Sequence, residues 1–117
     1  MQQAKAMPRP KIQVFNDGIL SFYHINDDDS LTLKQGGIRY STRTVGSKRY
    51  FEAYEFQRRA DKVVRVPPLA EPQSNDVVII GGVQYNILQV QEILDTFPKC
   101  WQLTLEVIKE GNYHVSD

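Results

Sequence analysis

Few residues in the sequence have the type and spacing that catalysis or metal binding requires. The single cysteine, Cys100, and the two histidines, His24 and His114, do not form any spacing typical of a zinc site. Three adjacent carboxylates in NDDDS, residues 26–30, would suit calcium, but no glycine or glutamate follows at EF-hand spacing, so we expect a solvated loop. No serine–histidine–aspartate or cysteine–histidine set has plausible neighbours. The sequence therefore predicts no metal and no cofactor, and we expect the protein not to be an enzyme.

The most unusual stretch is residues 46–61, GSKRYFEAYEFQRRAD. Ser47 can cap a helix and several following residues are good helix formers, which predicts one short helix or ordered loop at about residues 47–58. Four aromatic residues within seven positions are too many for one helical face. Either two of them pack a helix across the mouth of a barrel, or the segment projects and contacts a partner. The aromatic candidates for such contacts are Tyr50, Phe51, Tyr54 and Phe56.

Charge is divided unevenly along a chain whose net charge is zero. Residues 1–65 hold 12 Lys and Arg against 7 Asp and Glu, whereas residues 66–117 hold 2 against 7. Ordinary solvated faces can produce this asymmetry. The alternative is one basic and one acidic face, which suits head-to-tail contact between copies. On that hypothesis Arg58, Arg59 and Lys62 of one copy meet acidic residues of the next, with Glu92 and Glu106 as the candidates.

The remaining sequence predicts a single mainly β domain at residues 11–117, after a flexible N-terminal arm at residues 1–10. Alternating patterns in IRYSTRTV and CWQLTLEVI predict half-buried strands. KVVRV is a strand that two prolines end, and LAEPQSN is an irregular loop. KIQVF and ILSFYHI flank NDG, which predicts a hairpin. We expect about six antiparallel strands closed into a small barrel, with a core that includes Ile12, Val14, Tyr85, Ile87, Trp101, Leu103, Leu105 and Val107.

The glycine pair in DVVIIGGVQYNIL, residues 76–88, could form a hairpin turn or a phosphate-binding loop. A phosphate-binding loop would lead into a helix whose first amide groups face the anion. Here β-branched and aromatic residues follow, so Gly81 and Gly82 are predicted to form a hairpin turn. No run of about 18 apolar residues and no apolar leader occur, so we expect no membrane contact and no signal peptide. A single cysteine fits a reducing compartment.

Taken together, these elements resemble the bacteriophage head–tail joining family, the small head-completion, head-closure or stopper proteins. The resemblance covers roughly residues 11–108. It rests on a Gly-x-x-Tyr-x-Ile-x-x-Val hairpin arm, matched by Gly82, Tyr85, Ile87 and Val90. An arginine-containing strand upstream is matched by Arg65 in VVRVP.

The resemblance implies a small antiparallel β-barrel that forms a homo-oligomeric ring in the neck of a phage or prophage virion, assembled in the bacterial cytoplasm. The ring would lie between the portal or adaptor protein and the tail, close the DNA-filled head and offer the tail a docking surface. It also implies non-specific contact with packaged double-stranded DNA, with Lys48, Arg49, Arg58 and Arg59 as candidates for the channel or gate. A tail-completion protein of the same neck is the first alternative. An oligonucleotide-binding β-barrel, which stacks bases on strand aromatics, is the second.

Overall fold

A computed structural model describes residues 11–43, 60–109 and 112–115 of the chain. These residues are mainly β, as predicted, and contain no helix. The helix or ordered loop predicted at about residues 47–58 lies outside the described residues. The strands are β1 (Lys11–Ile12), β2 (Gly18–Ile25), β3 (Ser30–Arg43), β4 (Lys62–Val66), β5 (Val77–Ile80), β6 (Val83–Ile93), β7 (Thr96–Phe97), β8 (Cys100–Val107) and β9 (His114–Val115).

Six of the strands form a sheet whose hydrogen bonding closes on itself. The order is β2-β5-β6-β8-β4-β3, and β3 pairs again with β2. Every pairing in this closed sheet is antiparallel. Closure leaves these strands without the long free edges that would pair with other chains, the arrangement that a barrel uses. The prediction of about six antiparallel strands is confirmed.

The interior of the closed sheet is filled by the alternate residues of its strands, because side chains of a strand point to opposite faces in turn. Leu103 and Leu105 are fully buried there. Trp101 and Val107 pack against them from the same face of β8, so the alternation predicted for this strand is confirmed. The other members of this core are Leu20, Phe22, Ile38, Tyr40, Val64, Val66, Ala70, Val78, Tyr85 and Ile87.

The opposite face of β8 is less open to solvent than its sequence predicts. Thr104 is buried, and Gln102 and Glu106 are half-buried. Gln102 accepts a hydrogen bond from Arg65, which in turn donates to Gln13 in the segment after β1. The polar residues of this face are therefore covered in part by the segment that follows β1.

The hairpin predicted around Asn16-Asp17-Gly18 is wrong. β1 pairs in parallel with β7, and β2 pairs with β3 instead. Asp17 is held to β3, since its N–H donates to the Tyr40 carbonyl and its carboxylate accepts from the Thr42 N–H, at 2.9 and 2.7 Å. A side chain on Gly18 would come within 2.8 Å of the Tyr40 ring. The three residues thus bring the chain against β3 rather than reversing it.

Two predicted core residues, Ile12 and Val14, are exposed by 74% and 55%. They were expected in the core because their segment was expected to pair with β2. Its actual partner, β7, lies outside the closed sheet and forms a separate two-stranded layer with β1. The prediction that Ile12 and Val14 contribute to the core is therefore wrong.

Both short turns agree with the sequence. Gly81 and Gly82 join β5 to β6 with φ of +57° and +82°, the left-handed values that a two-residue hairpin turn requires. Residues 26–29 connect β2 to β3 as a polar loop, in which Asp29 has φ of +65°. The Asn26 N–H donates to the Ser30 carbonyl at 2.8 Å and closes this turn.

The irregular loop at residues 67–76 is fixed by polar contacts instead of strand pairing. Lys34 on β3 donates to the carboxylate of Asp76 at 2.7 Å and to the Glu71 carbonyl at 2.9 Å. The Asp76 side chain is only 2% exposed and also accepts from the Gln73 N–H. A buried carboxylate needs such donors to offset the loss of water. The loop that carries Pro72 is thereby held against the sheet.

Two glutamine side chains form hydrogen bonds with the main-chain groups of neighbouring segments. Gln84 on β6 donates to the Tyr113 carbonyl and accepts from the Tyr113 N–H, both at 2.8 Å. Gln35 on β3 does the same across residues 69–71, donating to the Leu69 carbonyl and accepting from the Glu71 N–H, both at 3.0 Å. The first pair positions the segment that leads to β9, which adds in parallel to Ser30 and Leu31.

Candidate functional site

The connection between β3 and β4 begins and ends at neighbouring positions of the sheet. Arg43, the last residue of β3, lies opposite Val63 of β4. The residues predicted to border a DNA channel or to contact a partner fall within this connection and outside the described residues. They are Lys48, Arg49, Tyr50, Phe51, Tyr54, Phe56, Arg58 and Arg59. Their predicted roles stay predictions.

Two carboxylates anchor the described residues on either side of this connection. Asp61 donates its N–H to the Leu105 carbonyl, and its carboxylate accepts from the Val107 N–H, both at 2.8 Å. On the other side, Asp17 binds the main chain of Tyr40 and Thr42 near the end of β3. The connection therefore leaves the sheet from two fixed points.

The three described candidates for contacts between copies do not form one patch. Lys62 is half-buried opposite Leu105, and Glu106 is the next residue along β8 and also half-buried. Glu92 is exposed near the other end of the β6–β8 pair, opposite Trp101. By strand alternation Lys62 shares the face of its partner Leu105, whereas Glu106 turns to the opposite face of β8. Their predicted roles in contacts between copies stay predictions.

The outer face of β3 and β4 is basic. Arg39, Ser41 and Arg43 alternate along β3 and so share this face, and Arg65 lies directly opposite Ser41. Arg39 and Arg43 are exposed. Arg65 donates to the oxygens of Gln102 and Gln13, both at 2.9 Å, and the Gln13 amide donates to the Ser41 hydroxyl at 2.9 Å. Burial lowers the pKa of Arg65, and the nearby charge of Arg43 lowers it further.

A second feature is a cleft at the end of β8, which we call the acidic cleft. It has a volume of about 760 Å³ and combines carboxylates with partly apolar walls. Asp28 and Asp29 come from the β2–β3 turn, and the Ser30 hydroxyl and N–H lower the pKa of Asp28 by donating to its carboxylate. The other lining residues are Asn86, Glu106, Val107, Ile108, Lys109, Asn112, Tyr113 and His114.

The acidic cleft was not foreseen from the sequence, where residues 26–30 were expected to be only a solvated loop. Its walls depend on the pairing of β9 with β3, which joins residues more than 80 positions apart. Across the described ranges, no three His, Cys, Asp or Glu side chains come together in a way that could hold a metal ion. The only signal in the sequence was the run of three aspartates.

Cys100 is buried and lies on the outer side of β8, against the second layer of chain. Its sulfur is 3.6 Å from the Thr96 hydroxyl, and Thr96 is itself buried. A thiol nucleophile must be reachable by its substrate, and this one is covered. In the part of the chain that the structure describes, no helix has the length and apolar character to cross a membrane.

No protein-family model, curated protein or solved structure matches this chain. The residues that carry the resemblance to the head–tail joining family nevertheless have defined places in the fold. Gly82 occupies the β5–β6 turn, Tyr85 and Ile87 are buried in the core, and Val90 packs against that core. These residues form the turn and the core-facing side of the β5–β6 hairpin. The resemblance itself stays a prediction.

Proposed function

We propose that this protein is a structural component of the neck of a tailed phage or prophage. Copies of it form a ring between the portal or adaptor protein and the tail, where they retain the packaged DNA and present a docking surface to the tail. The observation that carries the proposal is the closed six-stranded antiparallel sheet. A small antiparallel barrel is the fold that the resemblance implies.

A ring needs two different surfaces on each copy, because every contact joins unlike patches. The sequence divides its charge into a basic first part and an acidic second part. In the fold, Arg39 and Arg43 lie on the outer face of β3, whereas Asp28 and Asp29 line the acidic cleft. These separate basic and acidic surfaces support assembly of the ring through unlike contacts.

Contact with the DNA path requires cations that bind phosphates without reading bases. Arg39 and Arg43 are exposed, and Arg43 is the last described residue before the connection that holds Lys48, Arg49, Arg58 and Arg59. Six arginines and lysines therefore belong to this part of the chain. Their number supports a non-specific role and gives no reason to expect sequence preference.

The test uses an inducible prophage or phage that encodes this protein, with the reading frame deleted and supplied again from a plasmid. Without the protein, we expect filled heads that then lose DNA, free tails, and a loss of infectious particles that the plasmid reverses. Electron microscopy and nuclease protection of packaged DNA measure these outcomes. Heads that keep their DNA but lack tails would instead assign the tail-completion role. A normal yield of infectious particles would overturn both.

The oligonucleotide-binding alternative needs aromatic rings that are free to stack on bases. The aromatic residues on the strands of the closed sheet offer little free ring surface. Phe22, Tyr40 and Tyr85 are buried in its core, Trp101 packs against that core, and Tyr23 is half-buried. We therefore expect no micromolar, salt-sensitive binding of single-stranded DNA by the monomer. Fluorescence anisotropy with a labelled oligonucleotide, read beside size-exclusion chromatography, measures this directly.

A further inference from the structure

The layer formed by β1 and β7 has one side against the closed sheet and one apolar side in solvent. Gln13 faces inward, where it bonds Ser41 and Arg65, and Thr96 is buried. Alternation then turns Ile12, Val14 and Phe97 outward. They are exposed by 74%, 55% and 65%. We call these three residues the apolar face, and a groove of about 430 Å³ that shares Val14 extends it to Leu69.

The apolar face and the acidic cleft lie at opposite ends of the β6–β8 pair. Phe97 belongs to the connection between these strands, next to the Ile93–Cys100 pairing. The cleft includes Asn86 and Glu106, which pair at the other end. Cys100 and Glu106 are six positions apart on β8, roughly 20 Å at about 3.3 Å per residue. One copy therefore does not fill its own cleft.

Charged residues around the two surfaces could pair. Lys11 and Lys99 are exposed next in sequence to the apolar face, and the exposed carboxylates of Glu92 and Asp95 lie at the same end of the β6–β8 pair. The cleft carries Asp28, Asp29 and Glu106 against Lys109 and His114, next to the partly apolar walls of Val107, Ile108 and Tyr113. Lys11 and Lys99 can therefore meet the carboxylates of the cleft while the apolar face meets its partly apolar walls.

We infer that copies of this chain associate head to tail, with the apolar face of one copy seated in the acidic cleft of the next. Each contact leaves a free face at one end and a free cleft at the other, so the assembly grows until it closes into a ring. The inference rests on the proposed function, because it supplies the contact between subunits that the proposed ring requires.

The first test compares two substitutions that place a carboxylate on an exposed apolar residue. Phe97→Glu introduces the charge in the apolar face, and Leu33→Glu introduces it on β3, where Leu33 is 55% exposed. Sedimentation equilibrium at low salt is expected to show self-association of the native chain and of Leu33→Glu at millimolar concentration. Phe97→Glu is expected to weaken association by about tenfold or more, since burying an unpaired charge is costly.

The second variant, Asp28→Asn with Asp29→Asn, removes two charges from the cleft. Asparagine keeps the oxygen that accepts from Ser30 and tolerates the positive φ of Asp29, so the turn is preserved. We expect weaker self-association for this variant as well, with an unchanged melting temperature as the control for folding.

Mixing the two variants tests the head-to-tail geometry itself. The Phe97→Glu copy retains a native cleft, and the Asp28→Asn, Asp29→Asn copy retains a native apolar face. An equimolar mixture is therefore expected to form a dimer of one copy of each that does not grow further. Three results would each overturn the inference. The mixture forms no dimer, the native chain stays monomeric at millimolar concentration, or Phe97→Glu and Leu33→Glu associate equally.

Failure of the contact and failure of the neck role give different results in particles. If the protein is needed for DNA retention but Phe97→Glu supports normal particles, the contact is wrong and the neck role stands. If copies associate as inferred while particles without the protein are fully infectious, the contact stands and the neck role is wrong.

Discussion

Arg43 and Val63 lie directly opposite each other on β3 and β4. The connection between them is long in sequence, yet its two ends are separated only by the distance between paired strands, about 5 Å. A much shorter loop could therefore join the same strands. We therefore expect the closed sheet to form with a shorter connection as well.

Deleting Tyr50 to Gln57 is accordingly expected to leave the β-sheet circular-dichroism spectrum intact. Loop entropy changes slowly with length, so the free energy of unfolding should shift by only about 1 kcal/mol. Particles that carry the deletion should fill with DNA and then lose it, or fail to accept tails. Particles that keep their DNA and stay infectious would mean that this segment has only a structural role.

Leu103→Ala tests the core of the closed sheet. Leu103 is fully buried and its removal leaves a cavity, so we expect a loss of about 2 to 5 kcal/mol in the free energy of unfolding. Leu33→Ala, at an exposed position of β3, is the matched control and should change stability by less than about 0.5 kcal/mol. Equal effects of the two substitutions in urea denaturation would contradict the core assignment.

Reversing charge at Arg58 and Arg59 together tests the predicted basic contact. We expect Arg58→Glu with Arg59→Glu to block assembly while the isolated chain stays folded, and we expect native association to weaken with salt. Glu71→Lys, at an exposed position in the loop before β5, is the control for altered charge. Normal joining of heads and tails by the double variant would remove these residues from the contact.

The Lys34–Asp76 ion pair predicts an order of effects. Removing Asp76 leaves Lys34 able to turn toward water, whereas removing Lys34 leaves a carboxylate that is 2% exposed with only the Gln73 N–H as donor. Lys34→Ala should therefore cost about 1 to 3 kcal/mol, no less than Asp76→Ala. Chemical denaturation of both single variants and the double variant measures the coupling. A smaller loss for Lys34→Ala would show that the carboxylate regains water.

The sequence predicts the strands whose pattern is local. Alternation identifies β8, the prolines end β4, and paired glycines at the β5–β6 turn satisfy a requirement for positive φ that few other residues meet. The NDG run carries an equally strong local signal, yet its hairpin does not form. Asp17 binds the main chain of β3 instead, and nothing near residue 17 indicates that partner.

The surfaces were harder to predict because they are built by distant pairings. β1 and β7 meet across 85 positions of sequence, and this pairing turns Ile12 and Val14 from predicted core residues into exposed ones. The acidic cleft likewise depends on β9 reaching β3. Charge asymmetry indicated that unlike faces exist, but it could not locate them.

Gln84 and Gln35 each offer a neighbouring segment the same donor and acceptor that a peptide group offers. These bonds are made to main-chain atoms and do not involve the side chain of the residue that is held. These bonds would therefore survive any substitution at position 69 and any except proline at positions 71 and 113, where the N–H donates, but they would not survive loss of either glutamine. Even replacement by glutamate would remove the donor and keep only the acceptor. The surface that these segments present can thus diversify toward new neighbours while its attachment to the sheet stays constant.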